Sequence, residues 1–232
     1  MSKEKYLHIQ CLGVLCTLLL LVSFWGTSRE AHAKVFKQGF TYQKLPLRIR
    51  KKITGVSYRK NSHIQYGDLR YVRVRYYDFA GEVQDGALIV NKKIARKTVK
   101  IFYALYQMKY PIERIELVDE YGADDEKSMR ANNTSAFNYR TVAGTERLSK
   151  HALGMAIDIN PRINPYINSQ GILTPANAKV YRNRDQKKCK GKYASYMIQP
   201  NSKIVKIFKK YGFTWGGDWK NSKDYQHFQM DR

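Results

Sequence analysis

Between Tyr71 and Phe79 the chain reads YVRVRYYDF, and Val72, Val74 and Tyr76 alternate with Arg73, Arg75 and Tyr77. A two-residue period of this kind predicts a strand with one face buried. GALIVN, residues 86–91, is a short apolar run that reads as another strand, with residues 81–86 as the connecting turn. The period then changes. Ile94, Ile101, Leu105 and Met108 fall at helical spacing, and Pro111 ends that helix. IERIELV, residues 112–118, alternates again as a strand. Near the C-terminus, Ser202 caps a helix in KIVKIFKKY and Gly212 stops it, while FTWGG and HFQM read as two closing strands. Residues 34–66 carry neither period and read as a basic arm or irregular cover. Strands and helices mix without a βαβ rhythm, which predicts an α+β fold, a single domain around a central antiparallel sheet.

The first 33 residues differ from the rest. Lys3 and Lys5 precede the apolar run CLGVLCTLLLLVSFWG, residues 11–26, and Ala-His-Ala ends at Ala33. A positive start, an apolar stretch below the roughly 20 residues of a membrane span and a small-x-small end predict a secretory signal peptide over residues 1–33. The protein is then exported to the periplasm, the cell wall or the medium. An uncleaved signal would instead leave it anchored in the membrane. Cys11 and Cys16 leave with the signal, so Cys189 stands alone and no internal disulfide framework is expected.

Charge adds a partner class. The formal net charge is +23, and the first 33 residues contribute only one unit of it. Such a field favours encounter with polyanions. For an exported chain these are anionic cell-wall polymers or lipid surfaces, and a nucleic-acid partner is not expected. Nothing in the sequence calls for an oligomer, so a monomer is expected.

The candidate chemistry lies in SKHALGMAIDIN, residues 149–160, and in DYQHFQ, residues 224–229. Asp158 stands between Ile157 and Ile159, a costly place for a carboxylate unless a cation meets it. His151, Asp158 and His227 offer imidazole nitrogen and carboxylate oxygen, the donor types of a hydrolytic zinc site with one position open for water. Asp224, three residues before His227, is too close to it for both to be comfortable ligands on one strand. A turn at Asp224 leading into a strand at His227 would set a base beside the metal. Spacing leaves a second reading open, in which both histidines are hydrogen-bonded structural groups and Asp158 pairs with an arginine. His63 lies in the weakly patterned stretch and has no motif around it. Trp215 and Trp219 flank a glycine pair and read as an aromatic-packed turn before they read as sugar platforms.

SKHALGMAID matches the pattern SxHxxGxAxD, and FTWGGDW followed by DYQHF matches a closing (D/E)xxH motif. Together with SMRANNTSAFNYR, residues 128–140, and NPYI, residues 164–167, these blocks resemble the zinc peptidases that include D-alanyl-D-alanine carboxypeptidases and L-alanyl-D-glutamate endopeptidases, which share a fold with the hedgehog signalling domain. The resemblance runs from about Tyr71 to the end, within an expected peptidase domain of residues 67–232. It implies a hedgehog/DD-peptidase-like fold, bound zinc, and His151, Asp158 and His227 as its ligands. It further implies Asp224 as general base, Arg140 as the group that steadies the substrate carbonyl, and Ser149 as a substrate hydrogen-bonding residue. The expected substrates are peptidoglycan stem peptides, cut as a D,D-carboxypeptidase or alternatively as an L-alanyl-D-glutamate endopeptidase. A reading of another class is a non-catalytic basic wall-binding module with structural zinc.

Overall fold

A computed structural model describes residues 33–231; the expected signal peptide, apart from Ala33, lies outside the described residues. Residues 34–66 depart from the expected irregular arm. Lys34–Lys37 (β1) folds back on Phe40–Lys44 (β2), and Leu47–Ile53 forms a short helix (α1). β2 pairs antiparallel with Leu69–Tyr77 (β3), which pairs along its whole length with Val83–Asn91 (β4). The sheet order is β1-β2-β3-β4. β1 is an edge strand with no buried side chain, so it left no alternation to read.

The stretch expected to cover the surface instead closes a second core. Leu45, Ile49, Ile53, Tyr58 and Ile64 pack with Leu69, Tyr71 and Ile89 on one face of the sheet. The other face carries Val72, Val74, Leu88 and Val90, which pack against Val99 and Phe102 of Ala95–Gln107 (α2). The first half of β3 is therefore buried on both faces rather than one.

IERIELV yields only a two-residue strand, Arg114–Ile115 (β5), parallel to Asn133–Thr134 (β6), with the short helix Asp125–Arg130 (α3) between them. Side-chain amides replace a longer ladder here. The Glu116 backbone N–H donates to Asn133 Oδ1 at 2.8 Å, and that of Glu113 to Asn160 Oδ1 at 2.9 Å.

The C-terminal half is built from short strands. Ala156–Asp158 (β7), Tyr166–Ile167 (β8) and Leu173–Thr174 (β9) precede the helix Lys203–Lys210 (α4). Thr214–Trp215 (β10), Lys223–Asp224 (β11) and His227–Gln229 (β12) follow it. They form two three-stranded sheets, β10-β12-β7 and β11-β8-β9. Ser202 precedes α4 as expected, but its hydroxyl makes no capping bond. Phe208, Phe213, Trp215 and Phe228 join this half to the α2 side of the large sheet in one core. The result is a mixed α/β unit with antiparallel sheets, spanning Ala33 onward. Among the described residues no helix is long and apolar enough to cross a membrane.

Candidate metal centre

Two local structures bring the candidate ligands together. SKHALG forms a tight 3-10 turn, His151–Leu153, closed by Gly154 in the left-handed conformation at φ 64°. A Cβ on Gly154 would stand 2.7 Å from the backbone nitrogen of Asn91, so glycine lets this turn seat against β4. From Met155 the chain enters β7, whose antiparallel register with β12 sets His227 directly opposite Asp158. On the other side of β7, Asp158 exchanges two backbone hydrogen bonds with Ser135, at 2.9 and 3.1 Å. The strand is thus held from both edges at the residue that matters.

His151 Nε2 lies 3.1 Å from Asp158 Oδ2, and His227 Nδ1 lies 2.9 Å from Asp158 Oδ1. The same two ring nitrogens are 3.1 Å apart. All three residues are buried, and one donor atom from each falls within 4.8 Å of the others. The far nitrogens are already engaged. His151 Nδ1–H donates to the carbonyl of Ala136 at 2.5 Å, and His227 Nε2–H donates to Gln229 Oε1 at 3.0 Å. Each ring, when neutral, therefore turns the lone pair of its other nitrogen inward, as histidines in metal sites are usually held. This donor set fits a divalent cation such as zinc, with nitrogen from two imidazoles and oxygen from one carboxylate.

Charge interactions follow from the crowding. Burial alone would raise the Asp158 carboxyl, but the charge of His151 and hydrogen bonds from both imidazoles more than offset it and hold the group well below the usual carboxylate range. Burial opposes a charge on His227, yet the hydrogen bond and charge of Asp158 push it up to about 9. Without a cation, the cluster keeps a proton at neutral pH.

Asp224 sits on β11 beside this cluster. Its Oδ1 is buried without a hydrogen-bond partner among the described residues. Burial pushes its carboxyl up to about 6, with His227 pulling the other way and Asp158 adding to the rise. Gly216 makes room for it, since a Cβ there would meet the Asp224 carbonyl at 2.6 Å. Trp219 covers the His227 ring at a centroid distance of 5.5 Å, and Trp215 is fully buried with its indole N–H donating to the Tyr225 carbonyl at 2.9 Å.

Arg140 and Ser149 belong to the wall behind the turn. The Ser149 N–H donates to the Arg140 carbonyl at 3.1 Å, and the Asn138 N–H donates to the carbonyl of His151 at 3.3 Å. The Arg140 guanidinium is half-buried and paired with Asp125, which also accepts from the Asn138 amide at 2.7 Å. Ser149 is buried, and its hydroxyl accepts from the His151 N–H at 3.2 Å, so it shapes the ligand turn. Sequence reasoning missed Gln229 and the Ala136 carbonyl. Gln229 could have been found, because residues two apart on a strand share a face. A backbone carbonyl leaves no signal in composition.

Residues 143–230, which hold all three candidate ligands and Asp224, match the family described as D-alanyl-D-alanine carboxypeptidase. Over 27 residues the chain is 59% identical to the peptidoglycan L-alanyl-D-glutamate endopeptidase CwlK of Bacillus subtilis (strain 168). That stretch is 12% of this chain and 16% of the relative, so the chain matches well under two thirds of that protein. No solved structure gives a match. Over residues 143–230 the chain is thus similar to the family described as D-alanyl-D-alanine carboxypeptidase.

Proposed function

We propose that the protein is an exported, zinc-dependent peptidase that hydrolyses peptidoglycan stem peptides, acting as a D-alanyl-D-alanine carboxypeptidase. The observation that carries this reading is the convergence of inward-facing nitrogens on His151 and His227 with the Asp158 carboxylate, beside Asp224, whose Oδ1 is buried without a hydrogen-bond partner among the described residues. A pure wall-binding module needs no such carboxylate. The signal-like residues 1–33 support export, since peptidoglycan lies outside the membrane.

His151, Asp158 and His227 would hold the ion. Bound zinc supplies a Lewis acid for the scissile carbonyl and acidifies water at its open position. Asp224 takes the proton from the attacking water and passes it to the departing amine, which leaves as the peptide bond breaks and a new carboxylate forms. In metal-free protein burial lifts this carboxyl to about 6, and a bound divalent cation would pull it back down, so that Asp224 would stand ionised to accept the proton. Arg140, oriented by Asp125, donates to the carbonyl oxygen as negative charge builds on it. Ser149 keeps the His151 turn in place.

The 27-residue likeness to an L-alanyl-D-glutamate endopeptidase supports a second reading on the same residues. Incubation of the zinc-loaded and the chelated protein with a stem pentapeptide ending in D-Ala-D-Ala, with products weighed by mass spectrometry, separates the two. Chelator-sensitive loss of one alanine is expected. A cut after the first L-alanine would establish the endopeptidase. No product from zinc-loaded protein would overturn the hydrolase reading.

A further inference from the structure

A cavity behind the ligand turn is one that the family match does not explain. It encloses about 810 Å³, within the range of small-molecule and peptide pockets. One wall is the segment Asn138–Thr141, which is hydrogen-bonded to the ligand turn through His151 and Ser149. The opposite wall is the loop 55–63, which lies outside residues 143–230. That loop is fixed rather than incidental. Ser57 is buried, its N–H and hydroxyl both donate to Asp119, at 3.2 and 2.9 Å, and its carbonyl accepts from the Tyr139 N–H at 2.9 Å. Asn61 Oδ1 in turn accepts from the N–H groups of His63 and Ile64, both at 2.8 Å.

The loop aims donors into the cavity. Arg59 is exposed there and makes no ion pair among the described residues. His63 Nδ1 meets the Tyr139 hydroxyl at 3.0 Å, and Arg140 lines the far side. The one carboxylate on the lining is Glu146, on the rim hairpin where Thr141 bridges to Leu148. Arg140 is already paired with Asp125, so Arg59 is the lining guanidinium left without an ion pair among the described residues, and a guanidinium is well suited to a carboxylate.

We infer that this cavity is a carboxylate subsite, in which Arg59, aided by His63 and Tyr139, holds the free glutamyl carboxylate of a bound stem peptide. The inference rests on the peptidase reading for the choice of ligand, but its test does not depend on turnover. The subsite would make the protein discriminate between stem peptides whose glutamyl carboxylate is free and those in which it is amidated. Arg59 is then a specificity residue supplied by the segment that the family model leaves out.

The experiment is calorimetric titration of the zinc-loaded full chain, and of its Arg59→Gln variant, with a stem tetrapeptide in free-carboxylate and amidated forms. The wild-type protein should bind the free form about tenfold more tightly, the scale of one charge-assisted hydrogen bond, and Arg59→Gln should abolish that preference. Arg59 is exposed, so the variant should keep its zinc and its melting temperature, and both are measured. Equal affinity of wild-type protein for the two peptides, or an unchanged preference in Arg59→Gln, overturns the subsite even if hydrolysis is found. A preference lost in the variant, with the D-Ala-D-Ala pentapeptide left uncut by the zinc-loaded protein, sustains the subsite and sinks the peptidase reading.

Discussion

Asp224 holds a charge where its surroundings resist it, and that conflict is measurable. Its carboxyl is raised from the ordinary aspartate value of 3.8 to about 6, mainly by burial. A carboxylate with a raised pKa in the folded state destabilises the fold above about pH 6 and costs nothing below about pH 4. Asp224→Asn removes that charge. Metal-free protein carrying the substitution should therefore gain about 3 kcal/mol of stability at pH 7.5, a gain that all but disappears at pH 4. Hydrolysis by the same variant should fall at least about 100-fold while zinc stays bound. Urea titrations of chelated protein at the two pH values, beside peptide assays, check both halves; an equal gain at pH 4 would show that the burial account of Asp224 is wrong. Gln229 offers a second test at this scale. Its Oε1 holds the His227 ring in the required tautomer at 3.0 Å, and Gln229→Ala should weaken zinc affinity about 10- to 100-fold in a competition titration. An unchanged affinity would mean that the β7–β12 pairing alone orients His227.

At the scale of elements, what could be read from sequence was what repeats. β3, α2 and α4 emerged at their observed places because several buried side chains recur at one period, as Val72, Val74 and Tyr76 do. The closing strand at HFQM was legible too, but its pairing with Ala156–Asp158, nearly 70 residues earlier, was not. Elements were lost where the partner is distant or is a side chain. α1 buries only Ile49 and Ile53, one turn apart, and no local pattern shows that they face Tyr71 and Ile89. β5 was expected to be longer because nothing in IERIELV shows that Asn133 and Asn160 capture its neighbours' N–H groups. Nothing in the sequence around Gly154 shows the tight seat of its turn on Asn91. Gly154→Ala meets a positive φ and a 2.7 Å approach to backbone at once. It should cost about 1–3 kcal/mol or more, and it should also impair zinc binding, because the turn carries His151. A melting curve with normal zinc content would show that the turn relaxes without moving the ligand.

For the whole molecule, metal, proton and fold share one balance. In metal-free protein His227 is pushed up to about 9 by Asp158. A histidine whose folded pKa exceeds its unfolded value near 6.5 stabilises the fold fully below that value, and the contribution is lost as pH rises through 9. A divalent cation needs the same imidazole unprotonated, so loading the site expels the proton. Between about pH 7 and 9, zinc affinity should rise close to tenfold per unit and then level off. Chelated protein should lose stability over the same interval, while zinc-loaded protein should not. The gap between their melting temperatures should therefore widen from pH 7 to pH 9, by the equivalent of about 1–3 kcal/mol at a fixed excess of zinc. The cluster sits where β7 and β12 meet the core shared with α2 and α4, so the effect should appear in the global transition rather than in a local one. Scanning calorimetry on loaded and chelated samples at the two pH values reads it directly. A gap that stays constant or narrows would mean that the proton on His227 does not compete with the metal, and that the three side chains are the hydrogen-bonded structural group which spacing alone left open.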